Sequence, residues 1–367
     1  MPITGARGIT HAFVPSKLPP KWDWPNDLWP LLLEAHQALS VLDGTGRHLQ
    51  NPDLVLRSLQ NREAQKSSSL EGTFTDPQEQ LLFALAPREA SSKEDPVNAR
   101  REVFNYARAL RVRREGQDLP LSLRLIKQLH EVLMTGVRGA ERDPGNFRRL
   151  QNQIGQPARF VPPPVPELPA LLDNFERYLH EGEALDPLVR AFVAHYQFEA
   201  IHPFMDGNGR VGRLLLAVTI AEWCGLANQW LYMSDYFDRN KDRYIDYLFG
   251  VSARGDWHNW IAFCLRGVVE QAKDTLWRYE KLIELHRDFH DRVNKHGASV
   301  RHSRLVDELF LRPVIQVTHA RNLTNVTYPT ARTDLRQLER LKIVTELPGQ
   351  SPITYACLPI IEVVYKD

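Results

Sequence analysis

Within twelve residues near the middle of this chain lie an imidazole, His202, a carboxylate, Asp206, and two guanidiniums, Arg210 and Arg213. An unperturbed imidazole titrates near ~6.5, so His202 can take a proton at neutral pH. Asp206 offers a hard oxygen to Mg²⁺. Gly207 and Gly209 free the backbone to turn and to present consecutive N–H groups, and Asn208 between them adds a side-chain amide donor. Phosphate oxygens suit such a cradle. The apolar segment from Val211 to Ile220 predicts a helix, whose N-terminal dipole and two guanidiniums would face the same anion. A base, a metal ligand and an anion cradle together are the parts of nucleotide chemistry. A rival arrangement, His195, Glu199 and His202 at four and three spacing, could offer one helix face to zinc. It lacks an HExxH pattern, and Pro203 ends that helix, so zinc hydrolysis is not expected.

The elements that must hold these residues read as mostly helical. Trp22, Trp24 and Trp29 lead into Leu31, Leu32, Leu33, Ala35, Leu39 and Leu42 at helical spacing. Asn51 predicts an N-cap for a helix starting at Pro52 and running into the cluster Ser67-Ser68-Ser69-Leu70-Glu71-Gly72. Glu71 then sits at the negative pole of that helix, where a carboxylate gains from a cation, and Arg210 is the expected partner. Apolar residues at three and four spacing predict helices over 100–112 and 122–135. The stretch from Leu214 to Met233 predicts a buried helix rather than a membrane span, because Glu222 interrupts it. Around Gly155 the extended runs of 145–164 predict a short hairpin, stopped by Pro162, Pro163 and Pro164.

Toward the C-terminus an amphipathic stretch from Val268 to Val293 predicts a long helix that joins a separate module near His296-Gly297-Ala298. That module reads as helices through Leu305 to Phe310, from near Thr318 and after Thr327-Tyr328-Pro329, followed by a hairpin turned at Pro348-Gly349. The order resembles a winged helix, which could place its third helix in a DNA groove. Residues 301–367 carry nine Lys/Arg against seven Asp/Glu, a weak footprint for DNA, so protein contact or dimerisation is favoured.

Size and composition set outer bounds. A chain of 367 residues suits roughly two or three domains, since one core seldom grows beyond ~250–300 residues. A net charge of +1 gives no global attraction to nucleic acid or anionic lipid. Cys224, Cys264 and Cys357 are too few and too scattered for a disulfide framework, and no apolar leader of signal-peptide type follows Met1. A cytoplasmic protein with no membrane span is the expectation.

The run from His202 to Arg213 resembles the HPFx[DE]GNGRxxR motif of the Fic family. The resemblance implies a mainly α protein: a helical Fic core with a short β-hairpin flap over 96–296, an N-terminal helical domain over 1–95 and a winged-helix domain over 297–367. It implies an adenylyltransferase that moves AMP from ATP to Ser, Thr or Tyr hydroxyls of target proteins or of itself. His202 would be the general base and Asp206 the Mg²⁺ ligand. Gly207, Asn208 and Gly209 would cradle phosphates, and Arg210, Val211, Gly212 and Arg213 would complete the nucleotide site. Tyr244 would lie against the adenine, with a core aromatic as its other reading, and Ile154 would be a flap residue touching nucleotide or target. Phe204 would anchor the loop from the core. Ser67 to Gly72 fits the family's [ST]xxxE[GN] inhibitory pattern, by which Glu71 pairs with Arg210 and keeps it from the γ-phosphate. Gly207 argues against the phosphorylating Doc relatives, and against the phosphocholine-transferring relatives, which carry Ala there. Transfer of UMP or GMP, removal of AMP with Glu71 positioning a water, and a nucleotide-sensing DNA-binding regulator stay open as alternatives.

Overall fold

Prolines and short polar caps start most of the helices. The structure, a computed structural model, describes residues 1–5, 8–49, 51–92, 94–112, 119–137, 143–155, 159–181, 185–297 and 299–366. An antiparallel hairpin, β1 (Pro2–Gly5) and β2 (Gly8–His11), opens the chain. Next come α1 (Trp29–Arg47), with Pro30 in its first turn, and α2 (Asp53–Leu70). The start of α2 falls one residue later than expected: Pro52 is the cap, and Asn51 Oδ1 accepts from Asp53 N at 3.2 Å. Asp76 caps α3 (Pro77–Leu85), and α4 (Val97–Arg111) and α5 (Leu123–Met134, capped by Ser122) follow. Then come α6 (Leu168–Glu181), α7 (Pro187–Ile201, capped by Asp186) and α8 (Asn208–Trp223).

The helix pair α7 and α8 forms the centre of the core. Phe192, Phe198, Ile201, Val211, Leu214 and Leu215 are all buried, and α7 is apolar on nearly every face, as a fully enclosed helix must be. The apolar stretch after Arg213 is not one helix. It ends at Trp223, Gly225 takes a left-handed φ of +64°, and Trp230, Leu231 and Met233 fill the core from irregular chain. Trp230 lies so close to Gly46 that a Cβ there would run into its indole ring. Apolar content gave the burial correctly and the conformation wrongly, since a buried coil and a buried helix have the same composition.

Two short helices, α9 (Ser234–Arg239) and α10 (Lys241–Arg254), lead to α11 (Trp257–Lys295), which lies along α1. Asp256 caps it, so it begins well before Val268. The remainder runs α12 (Val300–Leu311), β3 (Val314–Gln316), α13 (Val317–Thr324), α14 (Tyr328–Arg340), β4 (Thr345–Glu346), β5 (Thr354–Ala356) and α15 (Leu358–Tyr365). The strands form an antiparallel sheet in the order β3-β5-β4. Thr327 caps α14, with Pro329 in its first turn as the sequence implies. Ala298, part of the expected module boundary, lies outside the described residues. Among the described residues no helix is long and apolar enough to cross a membrane.

Candidate functional site

His202 stands at the C-cap of α7 with φ 50° and ψ 59°, and its N–H still donates to Phe198 O at 3.0 Å. Pro203 stops the helix there. The loop to α8 is fastened from several sides. Phe204 is fully buried, and its ring stacks on His130 at 3.8 Å with 3° between planes. His130 Nδ1 accepts from Gly145 N at 2.8 Å, so its proton sits on Nε2, which donates to Asp206 O at 3.1 Å. Arg148 clamps the turn: its Nε donates to His202 O at 3.0 Å and one NH₂ donates to Pro163 O. Its backbone N–H reaches Pro203 O at 2.8 Å. Burial pulls the Arg148 pKa down to about 10 and that of His130 to about 4.

Gly207 adopts φ +74° as the N-cap of α8, a left-handed turn that favours glycine. The other cradle residues act differently from the expectation. Gly209 is already helical, and its missing side chain is needed for close approach: a Cβ there would run into Glu71 Oε1. Asn208 is not an open amide donor. It is buried, its Oδ1 accepts from Phe204 N at 2.8 Å and its Nδ2 donates to Phe204 O at 2.9 Å, which closes the loop. Val211 belongs to the core, and Gly212 lets the Glu199 carboxyl lie against α8. Asp206 Oδ1 accepts from Gly207 N at 2.7 Å, and its side chain is 37% exposed.

The expected partner of Glu71 is corrected by the geometry. Glu71 Oε1 accepts from Arg213 NH2 at 2.7 Å, while Arg210 NH1 donates to Glu102 Oε2, on α4, at 2.9 Å. Arg213 also donates through Nε to Ser67 Oγ at 2.8 Å and through NH2 to Ser67 O at 2.9 Å. Helix α2 ends in paired turns, Gly72 N to Ser69 O at 2.8 Å and Thr73 N to Ser68 O at 3.0 Å, with Gly72 at φ +83°. That termination holds Glu71 over the start of α8. Burial is the largest single influence and pushes the Glu71 carboxyl up, but the Arg213 charge and hydrogen bond, with the Arg210 charge, together outweigh it and the pKa is lowered overall.

A cavity of about 230 Å³ joins His202, Gly209, Arg213, Glu71, Tyr244 and Ile154. Asp206, Gly207, Asn208, Arg210, Val211 and Gly212 do not line it. Burial holds the His202 imidazole at a pKa of about 4, and its Nδ1 is buried without a hydrogen bond. Tyr244 meets both of its readings: it lines the cavity, yet it is buried and stacked on Phe237 at 4.5 Å. Its hydroxyl donates to His195 Nε2 at 2.9 Å, while His195 Nδ1 donates to Gly212 O at 3.2 Å. His195 is thus committed to structural hydrogen bonds, and His195, Glu199 and His202 do not converge on a metal-sized point among the described residues.

Among the described residues the expected hairpin shows one antiparallel bridge, Ile154 with Phe160, beside Gly155 at φ +85°. Gln156, Pro157 and Ala158 lie outside the described residues. Sequence spacing gave no sign of Glu102, His130 or Arg148. Each lies over fifty residues from the group it holds, and only packing brings it there.

Residues 120–220 match the model of the Fic/DOC family, and residues 29–113 match that of the Fic/DOC family N-terminal region. The chain is similar to a curated protein of Drosophila grimshawi named protein adenylyltransferase Fic, 39% identical over 102 residues, or 27% of this chain and 20% of that protein. The protein of the same name from Drosophila persimilis is 39% identical over 27% of this chain and 19% of its own length. The chain spans about a fifth of the length of the curated relatives it matches. Among solved structures, a Fic family protein from Desulfovibrio desulfuricans G20 superposes with a TM-score of 0.59 at 19% identity, covering 92% of this chain and 98% of that one. Fic-1 of C. elegans (residues 134–508) gives 0.55 at 18% identity, over 68% of this chain and 73% of that one. At such identities the likeness establishes the fold.

Proposed function

The chain belongs to the Fic/DOC family, and from that premise we propose that it is a protein adenylyltransferase restrained by its own Glu71. The observation that carries the reading is the ion pair of Glu71 with Arg213 on the wall of the cavity that His202 lines. ATP is the substrate, and its α-phosphorus lies beside His202. The imidazole, unprotonated at neutral pH because burial depresses it, takes the proton from a Ser, Thr or Tyr hydroxyl of the target. The hydroxyl oxygen bonds to the α-phosphorus, the bond to the bridging oxygen breaks, and pyrophosphate leaves with its charge balanced by arginine. Asp206, a half-exposed carboxylate next to the start of α8, fits Mg²⁺, which usually binds one or two carboxylates together with substrate phosphates. Bound there it would neutralise phosphate charge.

Glu71 serves as an internal anion, occupying donors of Arg213 that a phosphate would otherwise use. The cavity is also smaller than the ~300–1,000 Å³ of ordinary ligand sites, which accords with a carboxylate standing in the nucleotide's place. Ile154 and the bridge at Phe160 would receive the target backbone by strand addition. Residues 1–95, 96–296 and 297–367 are read as inhibitory, catalytic and winged-helix units, the last serving protein contact or dimerisation.

The test compares ATP labelled at the α-phosphate with ATP labelled at the γ-phosphate. Wild type should place only α-label in protein, and His202→Ala should lower incorporation by about 100-fold or more. Label from the γ-phosphate, or equal labelling by both proteins, would contradict the reading.

A further inference from the structure

Far from the catalytic cavity, two histidines and an aspartate converge where the long helix meets the C-terminal unit. His286 and His290 lie four apart on α11, so they share one face of the helix. Both Nε2 atoms meet the same oxygen of Asp307, on α12: His286 at 2.8 Å and His290 at 2.9 Å. The three potential ligand atoms all lie within 4.8 Å of one another. Each Nε2 must carry its proton to donate to a carboxylate oxygen, so two protons are held where one divalent cation would serve as well.

The geometry points to a Zn²⁺ site of two imidazole nitrogens and one carboxylate oxygen, which fastens α12 to α11. Metal bonds of about 2.0–2.1 Å at tetrahedral angles place ligand atoms roughly 3.3 Å apart, so the present contacts need open by only a few tenths of an ångström. The nitrogen ligands select a borderline transition ion over Mg²⁺ or Ca²⁺, which prefer all-oxygen sites. The side chains are 27%, 24% and 49% exposed, which gives the ion a path and leaves the fourth position to water. The frame is preorganised. Phe289 and Phe310 are buried between the two helices, and the His286 ring sits edge-on to Phe310 at 5.0 Å. The ion would join two rigid helices rather than order a loop.

The test uses the untagged 367-residue chain, stripped with a chelator and titrated with ZnCl₂, alongside His286→Gln and Asp307→Asn. Far-UV circular dichroism establishes that each variant is folded. Wild type should bind one equivalent of Zn²⁺ at micromolar concentration, and its thermal midpoint should rise with the metal. Each variant should bind about 10-fold more weakly or worse and show no rise. Co²⁺ in place of Zn²⁺ should give a visible absorption band in wild type alone, and Mg²⁺ should not compete. No stoichiometric binding by wild type, or binding retained in both variants, would overturn the site.

Discussion

At the residue scale the central pairing is Glu71 with Arg213, and the sequence reached half of it. A carboxylate at the end of a helix wants a cation, and that much was legible from Ser67 to Gly72. Arg210 and Arg213 lie within one turn at the start of α8, so both point toward the same region, and spacing does not choose between them. The choice is made by Glu102, more than a hundred residues before Arg210, which takes Arg210 and leaves Arg213 for Glu71. His202 carries a prediction of its own. Burial lowers its pKa to about 4, so the proposed base is unprotonated above that value and is lost as pH falls through it. The acid limb of kcat/KM for AMP transfer should therefore lie near 4. A limb between 6 and 7, where an unburied histidine titrates, would contradict the geometry.

At the scale of elements, breakers were the readable part. Pro329 and Gly72 act where their backbone preferences indicate, while the caps at Ser122 and Thr327 were not read. The breakpoint after Trp223 was hidden, because burial of Trp230 and Leu231 preserves apolar composition without helical geometry. The flap was legible as a turn at Gly155, but among the described residues the one Ile154 bridge carries less pairing than the extended runs on each side imply. Beyond the cation expected for Glu71, the ties between elements were not legible. Glu102 is one such tie: its Oε2 accepts from Arg210 and from Thr73 Oγ1, each at 2.9 Å, joining α4 to α8 and to the end of α2. Both partners of the ion pair are nearly enclosed, at 6% and 8% exposed. Glu102→Ala should leave the buried Arg210 only its long contact with Asp206 Oδ1, at 3.9 Å, at a cost of about 3–5 kcal/mol. Urea unfolding would measure it, and a loss below ~1 kcal/mol would show that Arg210 finds another partner.

For the whole molecule, fold class followed from periodicity and the family from one motif, while the two histidines that share Asp307 at the α11–α12 joint went unread because Asp307 lies on a different helix and only packing brings it to them. Buried titratable groups also set a pH dependence. Among the described residues burial depresses His130, His195 and His202, to about 4, 3 and 4, and raises Glu63 and Glu199 to about 7. A depressed histidine contributes stability above its unfolded value of ~6.5 and loses it as pH falls toward its folded value. A raised carboxyl acts oppositely, contributing below ~4.5 and losing its contribution as pH rises toward 7. Near pH 5.5 the three imidazoles exceed the two carboxyls by one, so unfolding takes up about one proton. Stability from urea melts should rise by about 1 kcal/mol per pH unit between pH 5 and 6, and a fall over that interval would contradict the balance. Restraint by Glu71 of the site lined by His202 is the central proposal. Its most direct measurement is the initial rate of protein labelling from α-phosphate-labelled ATP by wild type, Glu71→Gly and Glu71→Gly/His202→Ala. Releasing Arg213 should raise the Glu71→Gly rate at least ~10-fold over wild type, about 1.4 kcal/mol in barrier, and the double variant should be silent. Equal rates for wild type and Glu71→Gly would contradict it.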